Sequence, residues 1–573
     1  MTSEPRTTPF RMPEHLFAEL AAGGGSAQAV AFLEQGERAR RLLLLRTLLD
    51  RLAAVPTALT PAAEAWHVVK EAARRAPAPV ERLLLAPTTG AWIAHLLRRV
   101  HGTATGPHLW AEAGRLNALA VAAALHAGTE TVLRVPLHDG ALSLPGLGLA
   151  RLPGAAAGVT AGTAHTRAGE LTLTGPAHDR GTARLTCRPA TAPVGAAPSA
   201  ADAVWLPLRT LTHTTPSGPV AIPLEDLDPY RDLDDPLPPA RLDDDEAAAW
   251  QRQFDAAVAI LTTGDGPGPG RLDPAMIRSV VPWARTSLLP PPPPEVRVSA
   301  SSGDAYGAMV IARPASPLAL AEALVHEFQH SKLAALIHLF PLLDDDRAER
   351  YYAPWRPDPR HLTGLLHGAY AFTGVAGFWR DRLSDPEHAG TAAYHFALRR
   401  TQSRLVVRTL LTSGRLTAPG RALVGGLART LDGWLREPVA PSALARARTA
   451  AALHRTEWRL RNVVRPSGAP AGHLVPPGPG ADTVPLRPDR TPWPDRRTHA
   501  FAVRPADPRT PDEHLAAGDP AAALAGYAEG LAREPGEPHL LAGWIVARAA
   551  LDPGPAGRRL LARPERVAPP AAG

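Results

Sequence analysis

Cysteine is nearly absent from this chain of 573 residues: Cys187 stands alone, which excludes an intramolecular disulfide and any multi-cysteine zinc or iron–sulfur site. Lysine is almost as scarce. Of the 62 basic residues only Lys70 and Lys332 are lysine, so sixty arginines carry the formal charge of +7. That skew, beside 63 prolines and abundant alanine, is a composition bias rather than a basic surface built for phosphates. The arginines are spread along the chain among 55 acids, whereas a phosphate-tracking groove clusters its cations, so nucleic-acid binding is not expected. No uninterrupted apolar run reaches the roughly 18–20 residues that span a bilayer. The opening MTSEPRTTPFRMPEHLF also lacks a basic stretch followed by an apolar one. A soluble, cytoplasmic protein with no membrane partner is the expectation. With 45% hydrophobic residues, the chain can bury one large core or several domain-sized ones.

The pattern predicts a mixed α+β fold, mostly helical, with a central antiparallel β region and a metal-binding helix. Residues 1–128 read as helical, with apolar residues at three- and four-residue spacing in Glu37–Ala54 and Asn117–Ala127. Residues 129–235 read as antiparallel strands, among them Thr131–Pro136, Glu170–Thr174, Thr182–Cys187, Trp205–Thr212 and Val220–Leu224. Residues 236–465 read as a mostly helical catalytic core. It opens on Asp243–Thr262, whose Trp250, Phe254, Val258 and Leu261 share a face, and crosses a polyproline spacer at Pro290–Pro294. Two strands, Glu295–Ser299 and Ala308–Ala312, lead to a strong helix with Ser316 as N-cap and Pro317 in its first turn. Helix continues across Thr363–Arg382, Thr391–Thr412 and Ala422–Arg459. Residues 466–505 read as a Pro/Gly/Arg-rich linker and 506–573 as a small helical tail. There Gly518, Asp519, Ala523, Tyr527 and Pro535 match the second helix of a tetratricopeptide repeat, which would offer a surface for a partner protein.

The chemistry concentrates in His326-Glu327-Phe328-Gln329-His330. A helix turns about 100° per residue, so His326 and His330 project from one face a turn apart and can converge on one metal, with Glu327 on the adjacent flank. In zinc peptidases with this spacing the Glu is the general base for a metal-bound water. Seven of the 22 histidines fall within residues 326–395, more than twice an even share. A third ligand is required, and His367, on the next helix among small neighbours, is the preferred candidate; His361 and His395 are alternatives. His338 sits about 80° around the helix from His330. Leu333 and Leu336 exclude the metzincin extension. Arg356 and Arg360 flank a proline-stiffened turn and could aim guanidinium forks at a carboxylate. Asp344, Asp345 and Asp346 read as a solvated loop. No nucleophile elbow or Walker lysine is present, and Gly146-x-Gly148 lacks a third glycine.

The run from Leu320 to Leu333, followed by Tyr352-Ala353-Pro354-Trp355-Arg356-Pro357-Asp358-Pro359-Arg360 and by Gly364–Phe372, resembles the HExxH-motif proteins of ribosomal-peptide modification clusters. The likeness extends more loosely to Leu227-Asp228-Pro229-Tyr230-Arg231. The resemblance implies an iron(II)- and 2-oxoglutarate-dependent enzyme that hydroxylates a β-carbon of a precursor peptide. It implies His326 and His330 as ligands, His367 as the third, Glu327 as an orienting residue, and Arg356 or Arg360 holding the distal carboxylate of the co-substrate. Two other readings stand beside it: a zinc metallopeptidase with Glu327 as base, and a non-catalytic peptide-binding protein.

Overall fold

The computed structural model describes residues 11–106, 108–196, 204–216, 218–233, 235–262, 266–283, 298–464, 485–488, 493, 495 and 497–567. It is a mostly helical α+β fold whose chain divides into two compact units. One comprises Val30–Asp265 with Leu272–Leu339; the other comprises Met1–Ala29, Gly266–Arg271 and Phe340–Gly573.

The first unit holds every described strand: β1 (Thr131–His138), β2 (Ala141–Leu144), β3 (Gly148–Arg151), β4 (Val159–Arg167), β5 (Glu170–Pro176), β6 (Thr182–Cys187), β7 (Ala192–Pro193), β8 (Trp205–Pro207), β9 (Arg209–Thr215), β10 (Gly218–Leu224), β11 (Ser279–Pro282), β12 (Ser299–Ala300) and β13 (Ala308–Ile311). Seven of them form an antiparallel sheet in the order β6-β5-β4-β1-β2-β3-β8, as expected for this stretch. Leu133, Val135, Leu137, Leu171, Leu173 and Leu185 alternate inward. They meet the Arg115–Ala127 helix, whose alanine-rich sequence is buried nearly all round and so lies close against β1, β2 and β4.

The second sheet departs from expectation. Its order is β12-β13-β11-β10-β9-β7, and it is mixed: β10–β11, β11–β13 and β7–β9 run parallel. It joins strands from both sides of residue 235, so the β region does not end there. The run Trp205–Thr212 is not one strand either. Leu208 turns the chain from the first sheet to the second, donating its N–H to Leu147 and accepting from Ala192. Strands β2, β3 and β4 fall within the expected β stretch, whereas β11 lies beyond it; Gly, Ala and Pro dilute the alternation of all four. The Asp244–Leu261 helix, N-capped by Asp243, packs on β9 with Trp250, Phe254, Val258 and Leu261 buried, and the Pro317–Leu339 helix packs on it and on β12 and β13.

The second unit is a helical assembly. Leu362–Arg380 and Ala389–Thr412 pair closely, and the single helix expected over Ala422–Arg459 is two, Ala418–Leu435 and Pro441–Asn462, parted at Pro438 and Pro441. The C-terminal segment is not a free appendage. Its helices Pro511–Ala517, Pro520–Arg533 and Pro538–Leu551 share a core with Tyr394, Leu398, Leu453 and Phe501. Ala523 and Tyr527, the repeat-like positions, are fully buried in it. Arg497 donates to Glu457 at 3.1 Å and Asp512 at 2.9 Å, and Arg459 to Glu565 at 2.8 Å. Pro290–Pro294 and most of the expected linker lie outside the described residues; its described Arg497–Ala500 is a short helix. Among the described residues no helix is long and apolar enough to cross a membrane.

Candidate functional site

The Pro317–Leu339 helix begins as its sequence dictates. Ser316 Oγ accepts from the Ala319 N–H at 3.2 Å and Pro317 occupies the first turn. Leu320, Ala321, Leu324, Val325, Phe328, Leu333 and Leu336 are all buried, so the HExxH segment is held rigidly in the interior of its unit. His326 and His330 turn their rings together: the two Nε2 atoms are 3.1 Å apart, with ring centroids 4.7 Å apart and planes at 76°. Two imidazole nitrogens that share one ion at about 2.1 Å and are separated by this distance subtend about 95°, between octahedral and tetrahedral angles. Burial lowers the His330 pKa to about 4, leaving the neutral imidazole that binds metals.

Glu327 has no solvent exposure. Burial raises its pKa to about 7, against the opposing influence of the Ser299 and Ser301 hydroxyls, which lie within reach without alignment as full hydrogen bonds. Its Oε1 is 3.9 Å from His326 Nε2. Ser299 and Ser301 sit on β12 and just beyond it; no motif marks them, and only the sheet brings them here. Lys332, which entered the sequence reading as a compositional rarity, is 3% exposed beside the Phe328 ring, its pKa pushed down to about 7 by burial. His338 faces away from the pair, 3.6 Å from Glu37.

The remaining sequence candidates belong to the second unit. Tyr351 and Arg360 pair backbone to backbone and close the proline turn. Within it Arg356 Nε donates to Asp358 Oδ1 at 2.9 Å and Arg360 Nη1 to Asp358 Oδ2 at 3.3 Å. The expected carboxylate clamp therefore grips a carboxylate of its own turn, a competitor the sequence reading left out. Trp355 anchors the turn: its ring lies 4.6 Å from Phe372 and against Gly368, while Gln402 donates to the Pro354 carbonyl and Asn462 to that of Pro357. His367 is half-buried on the Leu362–Arg380 helix. Among the described residues no group of three or more His, Cys, Asp or Glu side chains is arranged to hold a metal ion. His361 and His395 are engaged within their own unit. His361 Nδ1 meets Asp345 at 2.7 Å at the start of its helix, and His395 stacks on Trp379 at 4.6 Å. Asp345 is no solvated loop residue: it accepts from His361, from the Thr363 N–H and from the Thr363 hydroxyl, which hold its pKa well below the usual carboxylate range despite burial.

No family model and no curated protein matches the chain.

Proposed function

We propose that this chain is a metal-dependent peptide-modifying enzyme that hydroxylates a β-carbon of a ribosomally made precursor peptide, using iron(II) and 2-oxoglutarate. The observation that carries the reading is the pair of imidazole nitrogens 3.1 Å apart on a buried helix, with the Glu327 carboxyl beside them. His326 and His330 would supply two of the ligands of the metal, which with 2-oxoglutarate and dioxygen would supply the oxidising chemistry. Around them the chain's own residues have plain tasks. The rigid helix fixes the two rings, burial keeps His330 neutral, and Glu327, shielded from water, orients or exchanges a proton with groups at the His326 edge. Arg356 and Arg360, to which the resemblance gives the distal co-substrate carboxylate, hold Asp358. Aerobic incubation of the iron-loaded chain with precursor peptide and 2-oxoglutarate should give succinate and a product heavier by one oxygen atom; cleavage that depends on zinc would overturn the proposal.

The Glu327 environment also favours a second reading, a zinc peptidase. A carboxyl with pKa about 7, 3.9 Å from a ligand nitrogen, has the proton affinity a general base needs near neutrality. Glu327→Gln separates the two, since it should abolish a peptidase and leave a hydroxylase much of its turnover.

A further inference from the structure

The sheet edge beside Glu327 has the features of a strand acceptor. Among the described residues β12 is the outermost strand of the mixed sheet and pairs with β13 alone, antiparallel, Ser299 opposite Ile311 and Ala300 opposite Val310. The Ala312 N–H donates to the Val298 carbonyl at 2.9 Å, which makes 298/312 a hydrogen-bonded pair and 300/310 the next. Ser299, between them, therefore directs its own N–H and C=O away from β13, to the side where no described strand lies, and Ser301 continues the same row. Among the described residues no backbone group bonds to either. Alternation places the Ser299 and Ser301 side chains on one face of the sheet, and it is the face against the HExxH helix, because both hydroxyls reach Glu327.

Other edges of the two sheets carry devices that deter a further strand. β6 bears Arg184 at its centre, and β7 and β8 end in Pro193 and Pro207. From Val298 to Gly303 the β12 edge is Val-Ser-Ala-Ser-Ser-Gly, with neither charge nor proline, and its residues through Ser302 are half-buried. Small side chains let a second backbone approach, and nothing in that sequence repels it.

We infer that the peptide substrate binds as an added strand on β12, taking its main-chain hydrogen bonds from the N–H and C=O of Ser299. Such a strand lies about 4.8 Å beyond β12, and every second side chain faces the helix that carries His326, Glu327 and His330. The mode accounts for recognition of an extended segment through its backbone, with specificity left to the side chains that face the helix. It rests on the peptide-substrate reading above.

The test uses the full chain and random linear peptides selected on it by display. A selected peptide is then resynthesised with single backbone N-methyl groups walked along it. Strand addition predicts a period of two: methylation at alternate residues weakens binding about tenfold or more, and at the residues between leaves it unchanged. Ser299→Pro, which removes an N–H that β13 does not use, should weaken binding by a similar factor. Ser299→Ala, which keeps that N–H, should bind like the parent, and circular dichroism checks that each variant is folded. Peptides that bind without the alternation and without sensitivity to Ser299→Pro would overturn strand addition and leave the peptide reading standing. Failure to select any peptide would overturn both.

Discussion

Gly368 lies one residue past His367, in the middle of the Leu362–Arg380 helix, where alanine is ordinarily better than glycine by about 0.8–1 kcal/mol. Here the sign should reverse. A Cβ at Gly368 would stand 2.3 Å from Trp355 Cζ2 and 2.5 Å from its Cε2 and Nε1, inside the ring rather than at a flexible tip. Trp355 must move, at an overpacking cost of about 1–3 kcal/mol, and its contact with Phe372, worth about 0.5–1.5 kcal/mol, is disturbed as well. Set against the helix gain, Gly368→Ala should destabilise by about 1–2 kcal/mol. The assay is the urea midpoint at unchanged slope, measured in two backgrounds. In the parent Gly368→Ala lowers the midpoint; in Trp355→Ala, where the ring is gone, the same change raises it by the equivalent of about 0.5–1 kcal/mol. A midpoint that rises in the parent would refute the packing that seats the arginine turn on this helix.

Three further outcomes are expected. Glu225 lines a cavity of about 10 Å³ with Asp228, room for one water, and burial, then Asp228 and Asp226, raise its pKa to about 8. Its contribution to stability is therefore complete below the ordinary value of 4.5 and is lost as pH rises through about 8. Glu225→Gln should flatten that fall in melting temperature between pH 4.5 and about 8, and a parent profile already flat there would contradict the assignment. Arg497→Met removes the guanidinium shared by buried Glu457 and half-buried Asp512 while Arg461 and His539 remain beside them, and should cost about 1–3 kcal/mol, read as a lower melting temperature with proteolysis of residues 511–567; a tail that stays resistant would show this guanidinium to be dispensable. Asp358→Asn should lower the KM for 2-oxoglutarate while Arg356→Ala and Arg360→Ala raise it, and a KM indifferent to all three would remove the turn from co-substrate binding.

The helix that carries the candidate site was legible because every signal agreed: an N-cap serine, a first-turn proline, an apolar body and a proline beyond the end. The His326–His330 pairing followed from helical periodicity alone. Contacts made at long range were not legible. Ser299 and Ser301 reach Glu327 through a strand of two residues, too short for any alternation to mark. Asp358 stood in plain view between Arg356 and Arg360, yet the reading assigned the clamp to a ligand and not to its nearest carboxylate. The arginine surplus resolves in the same way. Arg41 holds the carbonyls of Leu84 and Ala86, Arg231 those of Asp228 and Pro238, and Arg400 those of Trp434 and Glu437, so much of the basic excess ties the chain to itself. Buried guanidinium groups of this kind leave no periodic trace, because their partners are backbone atoms.

His326 and His330 are proposed to bind a catalytic iron. Elemental analysis of the full chain purified without oxygen tests it most directly, with the His326→Ala/His330→Ala double variant prepared alongside. Stoichiometric iron is expected in the parent and none in a double variant that remains folded. Stoichiometric zinc would move the chain to the peptidase reading, and a parent free of metal, or a double variant that keeps it, would contradict the site itself.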